Sequence, residues 1–251
     1  MQGIGCKLTR DIQILPSMCD GDLSLSIPAA LDIFQDTATV HADSLGIGPW
    51  EMERRNSFWI ISKTRMHINR MPRMMDDAKA STWIQPADRA SCERDYSITC
   101  GDEVLAYGRS IWAVISRDTG RLVQLNGIYP EGVVYDQAQP DDRPFLRISK
   151  KFGGAEPIGE YTVRSVDIDL GGHMNNVNYV RAMLGLFTSD QIKAMDISEI
   201  ELNFISQTYE GETLSFVKRV PENTGADQNA PSLEIAALNT DGKAVFIAAI
   251  Q

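Results

Sequence analysis

The chain has 251 residues, of which 43% are hydrophobic and 23% are charged, and its formal net charge is -10 at pH 7. This length allows one large core or two modest ones, because domains commonly run to roughly 100 to 200 residues. Charges of both signs are mixed along the sequence, without the basic arm that binds nucleic acid through its phosphates. The composition therefore argues against DNA or RNA as a partner.

The cysteines and the hydropathy pattern indicate the compartment. The four cysteines form no CxxC pair, so we expect neither a metal framework nor a cofactor, and a reduced intracellular setting is favoured. The first residues lack the pattern of a signal peptide, and no stretch approaches the roughly 18 apolar residues that a transmembrane helix needs. We therefore predict a cytoplasmic protein without membrane insertion.

The first half of the chain predicts one helix followed by a strand meander. Segment 26–48 has apolar residues at helical spacing, among them Ala30, Ile33 and Phe34. Pro28 suits an early helical position. Runs rich in Ile, Val, Thr, Trp and Tyr follow, bounded by Gly, Pro and Asp, and are typical of antiparallel strands. These runs cover residues 58–68, 79–85, 91–99 and 104–115.

The second half repeats this order. A helix is predicted over 175–187, followed by strands over 200–209, 214–220, 233–239 and 244–250. The hairpin turns near Cys100 and Asp241 lie roughly 140 residues apart, which suits a duplicated domain. A helix that is apolar on most sides needs a curved sheet to cover it. We therefore predict an α+β fold of two tandem hotdog domains, each an antiparallel sheet wrapped around a long central helix.

The predicted domain boundaries follow the composition. Segment 127–154 is rich in Pro, Gly and Asp and lacks strand alternation, as expected of a connector at the surface. We accordingly place the first domain at 1–126, the connector at 127–154 and the second domain at 155–251.

The most informative stretch is 166–179, where carboxylates, glycines and a histidine precede the second helix. We read its start as the end of a strand, on which Asp167 and Asp169 point the same way because they are two residues apart. Of the two, we expect Asp167 to stabilise the loop. His173 follows a Gly-Gly pair that allows a sharp turn. An asparagine, Asn175 or Asn176, can cap the helix, whose N-terminus favours a developing oxyanion.

These residues carry a family resemblance. The chain resembles the acyl-acyl-carrier-protein thioesterases of plants and bacteria, whose pattern Asp-x-Asp-x-Asn-x-His-Val-Asn-Asn aligns with residues 167–176, apart from Gly171 and Met174. The likeness extends over nearly the whole chain, through the segments 59–72, Arg94-Asp95, 100–102 and 110–112. It implies hydrolysis of fatty acyl groups carried by acyl carrier protein, which terminates chains in fatty acid biosynthesis.

The resemblance also implies the site residues. The family's catalytic aspartate falls on Asp169 and its histidine on His173. Three positions differ: Gly171 replaces the family's asparagine, Gln207 replaces a glutamate, and Thr208 replaces a nearby cysteine, which makes a cysteine mechanism impossible. We therefore expect Asp169 to activate a water or attack the thioester, His173 to polarise the carbonyl, and Gln207 to orient the water.

Other carriers and functions fit the same residues. Coenzyme A could replace acyl carrier protein as the carrier, or the chain could be a non-catalytic acyl-binding protein, an idea that Gly171 and Gln207 support. Six basic residues after the first helix are either ordinary strand surfaces or a docking patch for the acidic carrier, with Lys150 and Lys151 as a second candidate. These six are Arg54, Arg55, Lys63, Arg65, Arg70 and Arg73. We expect structural roles for His41 and His67. Monomer and homodimer both fit a double hotdog.

Overall fold

The computed structural model describes residues 4–136, 141–221 and 230–251. The chain divides into two compact units, Met1–Arg143 and Pro144–Gln251. Three parts of the predicted domain map lie outside the described residues, namely 1–3, 137–140 and 222–229. Within the described part, no helix is both long enough and apolar enough to cross a bilayer.

The first unit is built on one antiparallel sheet. Its helices are α1 (Ile27–Ser44) and α2 (Pro49–Arg54), and its strands are β1 (Ile4–Gly5), β2 (Lys7–Gln13), β3 (Ser57–Ile68), β4 (Asp77–Ala87), β5 (Ser91–Cys100), β6 (Glu103–Ser116), β7 (Leu122–Val123) and β8 (Val133–Val134). The five long strands lie in the order β2-β4-β5-β6-β3, and β7 pairs with β6. The two-residue strands β1 and β8 form a separate parallel pair.

Helix α1 packs closely on this sheet. It begins where Ser26 Oγ accepts a hydrogen bond from Ala29 N at 3.3 Å, as an N-cap residue does. The Phe34 ring stacks on Tyr96 of β5 with 4.6 Å between centroids. Gly108 of β6 allows this approach, because a Cβ there would lie 2.7 Å from Phe34 Cε2. The sheet is thus shaped to receive the helix.

The second unit repeats the same topology. Its elements are β9 (Glu156–Thr162), α3 (Asn176–Leu184), α4 (Ser189–Ala194), β10 (Glu199–Phe204), β11 (Thr213–Arg219), β12 (Leu233–Leu238) and β13 (Ala244–Ile250). The strands lie in the order β9-β11-β12-β13-β10, all antiparallel. Each unit therefore has a strand, a helix, a second strand and then a three-strand meander. The predicted meander is only partly correct, because the strand directly after the helix pairs with the last long strand of its unit and forms one edge of the sheet, while the strand before the helix forms the other.

Helix α3 occupies the place that α1 has in the first unit. The Tyr179 ring stacks on Phe246 of β13 with 5.3 Å between centroids, and Phe204 of β10 meets it edge-on. The sequence predicts a longer helix, over 175–187, and a strand that continues to residue 209; the structure ends them at Leu184 and Phe204. Apart from these two bounds, each unit has the predicted arrangement of one antiparallel sheet packed on a helix.

Besides the two-residue strands, two longer strands and two short helices lie outside the predicted segments. Strands β2 and β9 lie at sheet edges, where half of their side chains face solvent and polar residues hide the strand pattern. Helices α2 and α4 have six residues each, too short to show a helical period. The missed strands are the ones that complete each sheet.

The division between the units falls inside the segment 127–154. The carboxylate of Asp141 is buried and accepts a hydrogen bond from Arg65 Nη1 at 2.8 Å. Arg109 Nη1 donates to the backbone oxygen of Asp141 at 3.1 Å. Burial raises the pKa of Asp141, but hydrogen bonds from Arg143 and Arg65 outweigh this effect and lower it to about 2. Part of the predicted surface connector is therefore anchored on the first sheet.

Candidate functional site

The turn that carries Asp169 and His173 is closed by backbone hydrogen bonds. Asp169 N donates to His173 O, and Gly172 N donates to Asp169 O, both at 3.0 Å. Ile168 and Met174 form an antiparallel bridge. Gly172 has a φ of 76°, in the left-handed region that glycine adopts without steric cost. The backbone thus holds both side chains on one tight turn, which we call the second turn (165–175).

Asp167 belongs to a 3-10 helix, Ser165–Asp167, and not to the strand end that the sequence predicts. Its Oδ2 accepts hydrogen bonds from the hydroxyl of Tyr161 at 2.8 Å and from Arg164 N at 2.7 Å. The expected acidic face formed by Asp167 and Asp169 is wrong, because side chains do not alternate in a 3-10 helix as they do on a strand. Buried Asp167 instead stabilises the approach to the turn.

The structure brings Asp169 and His173 together. His173 Nδ1 lies 3.9 Å from Asp169 Oδ1, and the same oxygen accepts a hydrogen bond from Gly171 N at 2.7 Å. The side chain of Asp169 is 31% exposed and that of His173 is 12% exposed. Water can therefore reach the carboxylate, while the imidazole is largely enclosed.

Helix α3 begins at Asn176, three residues after His173. Asn175 is its N-cap, as predicted, and its side-chain oxygen accepts a hydrogen bond from Val177 N at 2.8 Å. Met174 N donates to Thr208 O, also at 2.8 Å. The first N–H groups of a helix have no partner inside the helix. Asn176, at the first helical position, is our candidate for an oxyanion donor among the described residues.

Gln207 lies on the segment that follows β10. Its side chain is exposed, and its Oε1 accepts a hydrogen bond from the Tyr209 hydroxyl at 3.0 Å. The next residue, Thr208, is fully buried. The segment contacts the second turn, because Met174 N donates a hydrogen bond to Thr208 O. The partner of the Gln207 amide oxygen is the Tyr209 hydroxyl.

Two family models match the chain. The acyl-ACP thioesterase N-terminal domain matches residues 5–129, and the acyl-ACP thioesterase C-terminal domain matches residues 153–248. The chain belongs to the acyl-ACP thioesterase family. This membership confirms the resemblance that the sequence indicates.

Curated relatives are identical to the chain at about a quarter of the aligned positions. A chloroplastic acyl-[acyl-carrier-protein] hydrolase of Cuphea viscosissima is 27% identical over 221 residues, which cover 83% of this chain and 53% of that protein. A chloroplastic palmitoyl-acyl carrier protein thioesterase of Cuphea hookeriana is 26% identical over 215 residues, which cover 80% of this chain and 51% of that protein. The chain thus spans about half the length of these relatives.

Solved structures share the fold over nearly the whole chain. An acyl-ACP thioesterase from Bacteroides thetaiotaomicron has a TM-score of 0.83 at 22% identity, covering 97% of this chain and 96% of that one. The 12:0-ACP thioesterase from Umbellularia californica has a TM-score of 0.77 at 21% identity, covering 99% and 97%. The predicted fold of two tandem hotdog domains is confirmed.

Gly171 stands where the family pattern has an asparagine. A Cβ at this position would lie 2.6 Å from His173 Nε2 and 3.0 Å from Asp169 Oδ1. Gly172 has a positive φ and Gly171 does not, so Gly171 is needed for space and not for its conformation. The imidazole of His173 occupies the space in which an asparagine side chain would begin.

The first unit contains a turn with the same backbone geometry, which we call the first turn (16–26). Asp20 N donates to Ser24 O at 2.9 Å, and Leu23 N donates to Asp20 O at 3.1 Å. Asp20 Oδ1 accepts a hydrogen bond from Asp22 N at 3.0 Å. Leu23 has a φ of 61°, close to that of the glycine at the equivalent place.

The correspondence between the turns extends to their surroundings. A 3-10 helix, Pro16–Met18, precedes the first turn, and α1 follows it. Leu25 N donates to Pro72 O at 2.8 Å, as Met174 N does to Thr208 O. Asp20 therefore corresponds to Asp169, whereas Ser24 corresponds to His173. Both turns carry the carboxylate, and only the second carries an imidazole.

A buried polar cluster of the first unit includes His41. His41 Nδ1 accepts a hydrogen bond from Arg94 Nη1 at 2.9 Å, and burial, followed by the nearby Arg94 charge, lowers the pKa of His41 to about 4. Asp95 follows Arg94 in the sequence, and burial raises its pKa to about 6. A hydrogen bond from Gln85 Nε2 to its carboxylate, at 2.6 Å, lowers this pKa but does not offset the burial. His41 is thus a structural histidine, held neutral at pH 7.

The basic residues that follow α1 do not form a single cationic patch. Arg54 and Arg55 both pair with Glu51. Arg65 is buried in its ion pair with Asp141. Arg70 pairs with Glu103. Four of the six basic residues are thus paired with a carboxylate of the chain, which favours the ordinary structural interpretation of the stretch.

Proposed function

We propose that the chain hydrolyses the thioester of fatty acyl-acyl carrier protein and releases a free fatty acid, the step that terminates chains in fatty acid biosynthesis. The observation that carries this proposal is the proximity of Asp169 and His173 on one turn at the start of α3. The family pattern assigns the catalytic aspartate and histidine to these positions. The names of the curated relatives agree with the reaction.

In the proposed mechanism, Asp169 is the general base. Gly171 N donates a hydrogen bond to Oδ1. Oδ2 accepts the proton of a water that attacks the carbonyl carbon of the thioester. The oxyanion that forms accepts hydrogen bonds from His173 and from Asn176 N. When it collapses, the C–S bond breaks and the thiolate takes the proton from Asp169, which gives the free acid and the carrier thiol.

A direct attack by Asp169 is the second form of the same proposal. Its carboxylate would displace the thiolate and form an anhydride with the acyl group, and water would then hydrolyse the anhydride. Gln207 has an amide that can orient a water but cannot take its proton. A thiolate leaves far more readily than an amine, so one carboxylate and an oxyanion site suffice.

The proposal is tested by incubating the chain with acyl carrier protein loaded with acyl groups of several lengths. We expect release of free thiol, and loss of that release in Asp169→Ala. Equal hydrolysis by Asp169→Ala and the wild type would remove Asp169 from the mechanism. The same acyl groups on coenzyme A test the carrier, because faster hydrolysis of those substrates would overturn acyl carrier protein as the substrate.

A second candidate function is non-catalytic acyl binding. Gly171 and Gln207 favour it, because they replace two polar groups of the family pattern. Its signature is saturable binding of a fatty acid without thiol release from any thioester. A single equilibrium-binding experiment beside the thiol assay separates the two functions.

The remaining assignments belong to the same proposal. We assign acyl-chain binding to the first domain (1–126) and catalysis to the second (155–251), joined by the connector 127–154. A cytoplasmic location is supported by the four cysteines, which are all free thiols. Sedimentation velocity decides between monomer and homodimer.

A further inference from the structure

A pair of buried hydroxyl groups lies behind the second turn. The Tyr179 hydroxyl donates to Thr208 Oγ1 at 2.7 Å. Tyr179 is 3% exposed and Thr208 is fully buried. Burial raises the pKa of Tyr179 to about 12, so this phenol stays protonated and remains a donor at neutral pH. The pair joins helix α3 to the segment after β10.

Thr208 also contacts the turn through its backbone. Its carbonyl oxygen accepts the hydrogen bond from Met174 N at 2.8 Å, and Met174 directly follows His173. The aromatic rings of Phe204 and Phe246 hold Tyr179 in place. A continuous set of contacts therefore runs from the helix through Thr208 to the backbone of His173.

The first turn shows that such a turn does not need this pair. Its equivalent backbone bond, from Leu25 N to Pro72 O, has the same length of 2.8 Å. Pro72 has no hydroxyl, and Ala30 stands in α1 where Tyr179 stands in α3. The hydroxyl pair is thus present on the turn that carries an imidazole and missing from the one that carries Ser24.

We infer that Tyr179 and Thr208 are a positioning pair for the proposed thioester hydrolysis, holding the His173 end of the second turn in place without touching substrate. This inference rests on the proposed function. It also gives the residue at the family's cysteine position a role other than nucleophile. A buried hydroxyl bonded to a phenol is screened from substrate and is fixed in orientation.

The test compares Tyr179→Phe, Thr208→Val, their double variant and Thr208→Ser. We expect each of the first two to lower kcat about tenfold with KM nearly unchanged, because a slightly misplaced group affects the transition state more than binding. The double variant should be no slower than either single one, since the two groups act as a unit. Thr208→Ser, which restores the hydroxyl, should recover wild-type kcat and the wild-type pH profile.

Thr162→Val is the matched control. Thr162 Oγ1 lies 3.1 Å from Thr213 Oγ1 across β9 and β11 in the same unit. This variant removes a threonine hydroxyl from a part-buried pair of hydroxyl groups, so its kcat should stay at the wild-type value even if its melting temperature falls. A kcat loss in Thr162→Val equal to that in Thr208→Val would overturn the positioning role.

NMR of the His173 ring tests the inference separately from the proposed function. The ring signals should shift in Tyr179→Phe and Thr208→Val and remain unchanged in Thr162→Val. Absence of wild-type hydrolysis would reject the proposed function, whereas unchanged His173 signals would reject the positioning pair. Wild-type kcat in both single variants, or a double variant whose loss is the product of the two single losses, would also reject it.

Discussion

The first and second turns have nearly the same backbone and different side chains. Each is closed by the same hydrogen bonds, each begins its helix with a capping side chain, and each holds a carboxylate against a backbone N–H. Asp20 shows that a carboxylate at this place can serve the turn alone. The shared features are therefore the scaffold, and the features confined to the second turn, His173 above all, are the candidates for chemistry.

The largest expected effect comes from comparing Asp169→Asn with Asp20→Asn. Both variants weaken an equivalent bond to backbone N–H, which costs about 1 kcal/mol in the free energy of unfolding. Only Asp169→Asn should also lower kcat, by roughly 10³-fold, because it removes the general base. Thiol release and urea unfolding of both variants check this. Similar kcat losses in the two variants would show that the turns differ less than we propose.

His173→Ser gives the second turn the residue of the first. We expect kcat to fall roughly 10²-fold, since the oxyanion loses a donor, while the unfolding transition changes little. Ser24→His is the matched control and should leave kcat at the wild-type value. Substantial activity in His173→Ser would assign the oxyanion to backbone donors alone.

Gly171→Ala tests the space beside His173. The new methyl group would displace the imidazole, the flexible end of a side chain, so we expect the protein to fold and kcat to fall roughly 30-fold, about 2 kcal/mol. Asp22→Ala places the same side chain at the equivalent position beside Ser24 and should not change kcat. Equal kcat for Gly171→Ala and the wild type would show that the ring position is unimportant.

The smallest effect concerns stability and distinguishes the first unit. The folded-state pKa of His41 is lowered from 6.5 to about 4, so its contribution to stability is lost as pH falls through this window. The pKa of Asp95 is raised from 3.8 to about 6, so the folded state gains stability over nearly the same window. The two effects oppose each other and should nearly cancel in the wild type.

Single variants separate these two groups. Between pH 7 and pH 5, Asp95→Asn should lose about 2 kcal/mol of unfolding free energy, because the His41 effect is no longer opposed. His41→Gln should gain about 1 kcal/mol over the same range. Urea unfolding at the two pH values measures both. If the wild type lost more unfolding free energy between pH 7 and pH 5 than Asp95→Asn does, the two effects would not cancel as proposed.

Much of the fold is predictable from local sequence patterns. The helix around Phe34 and the strand runs of both halves show their periods within short windows, and the repeated order indicates the duplication. The edge strands β2 and β9 are missed because polar side chains conceal their alternation. Asp167 is misplaced because nothing in its local sequence distinguishes a 3-10 helix from the end of a strand.

The candidate site is predictable only where it is local. Asp169 and His173 lie four residues apart on a single turn, so a short motif contains both. Tyr179 and Thr208 are 29 residues apart, and His41 and Arg94 are 53 apart, so only the tertiary fold brings each pair together. The space that Gly171 leaves for His173 likewise depends on ring packing, and no sequence pattern reports it.

Thr208 stands at the family's cysteine position, so the proposed site has no thiol there that an oxidant or alkylating agent could modify. The second turn contains no cysteine, and the pKa of the buried Cys92 thiol is raised to about 12, which makes it a poor nucleophile. Cys19 is more accessible and lies on the first turn. Peroxide or iodoacetamide that modifies Cys19 should therefore leave the proposed hydrolysis intact, and a fluorophore on this thiol should label the protein without lowering thiol release.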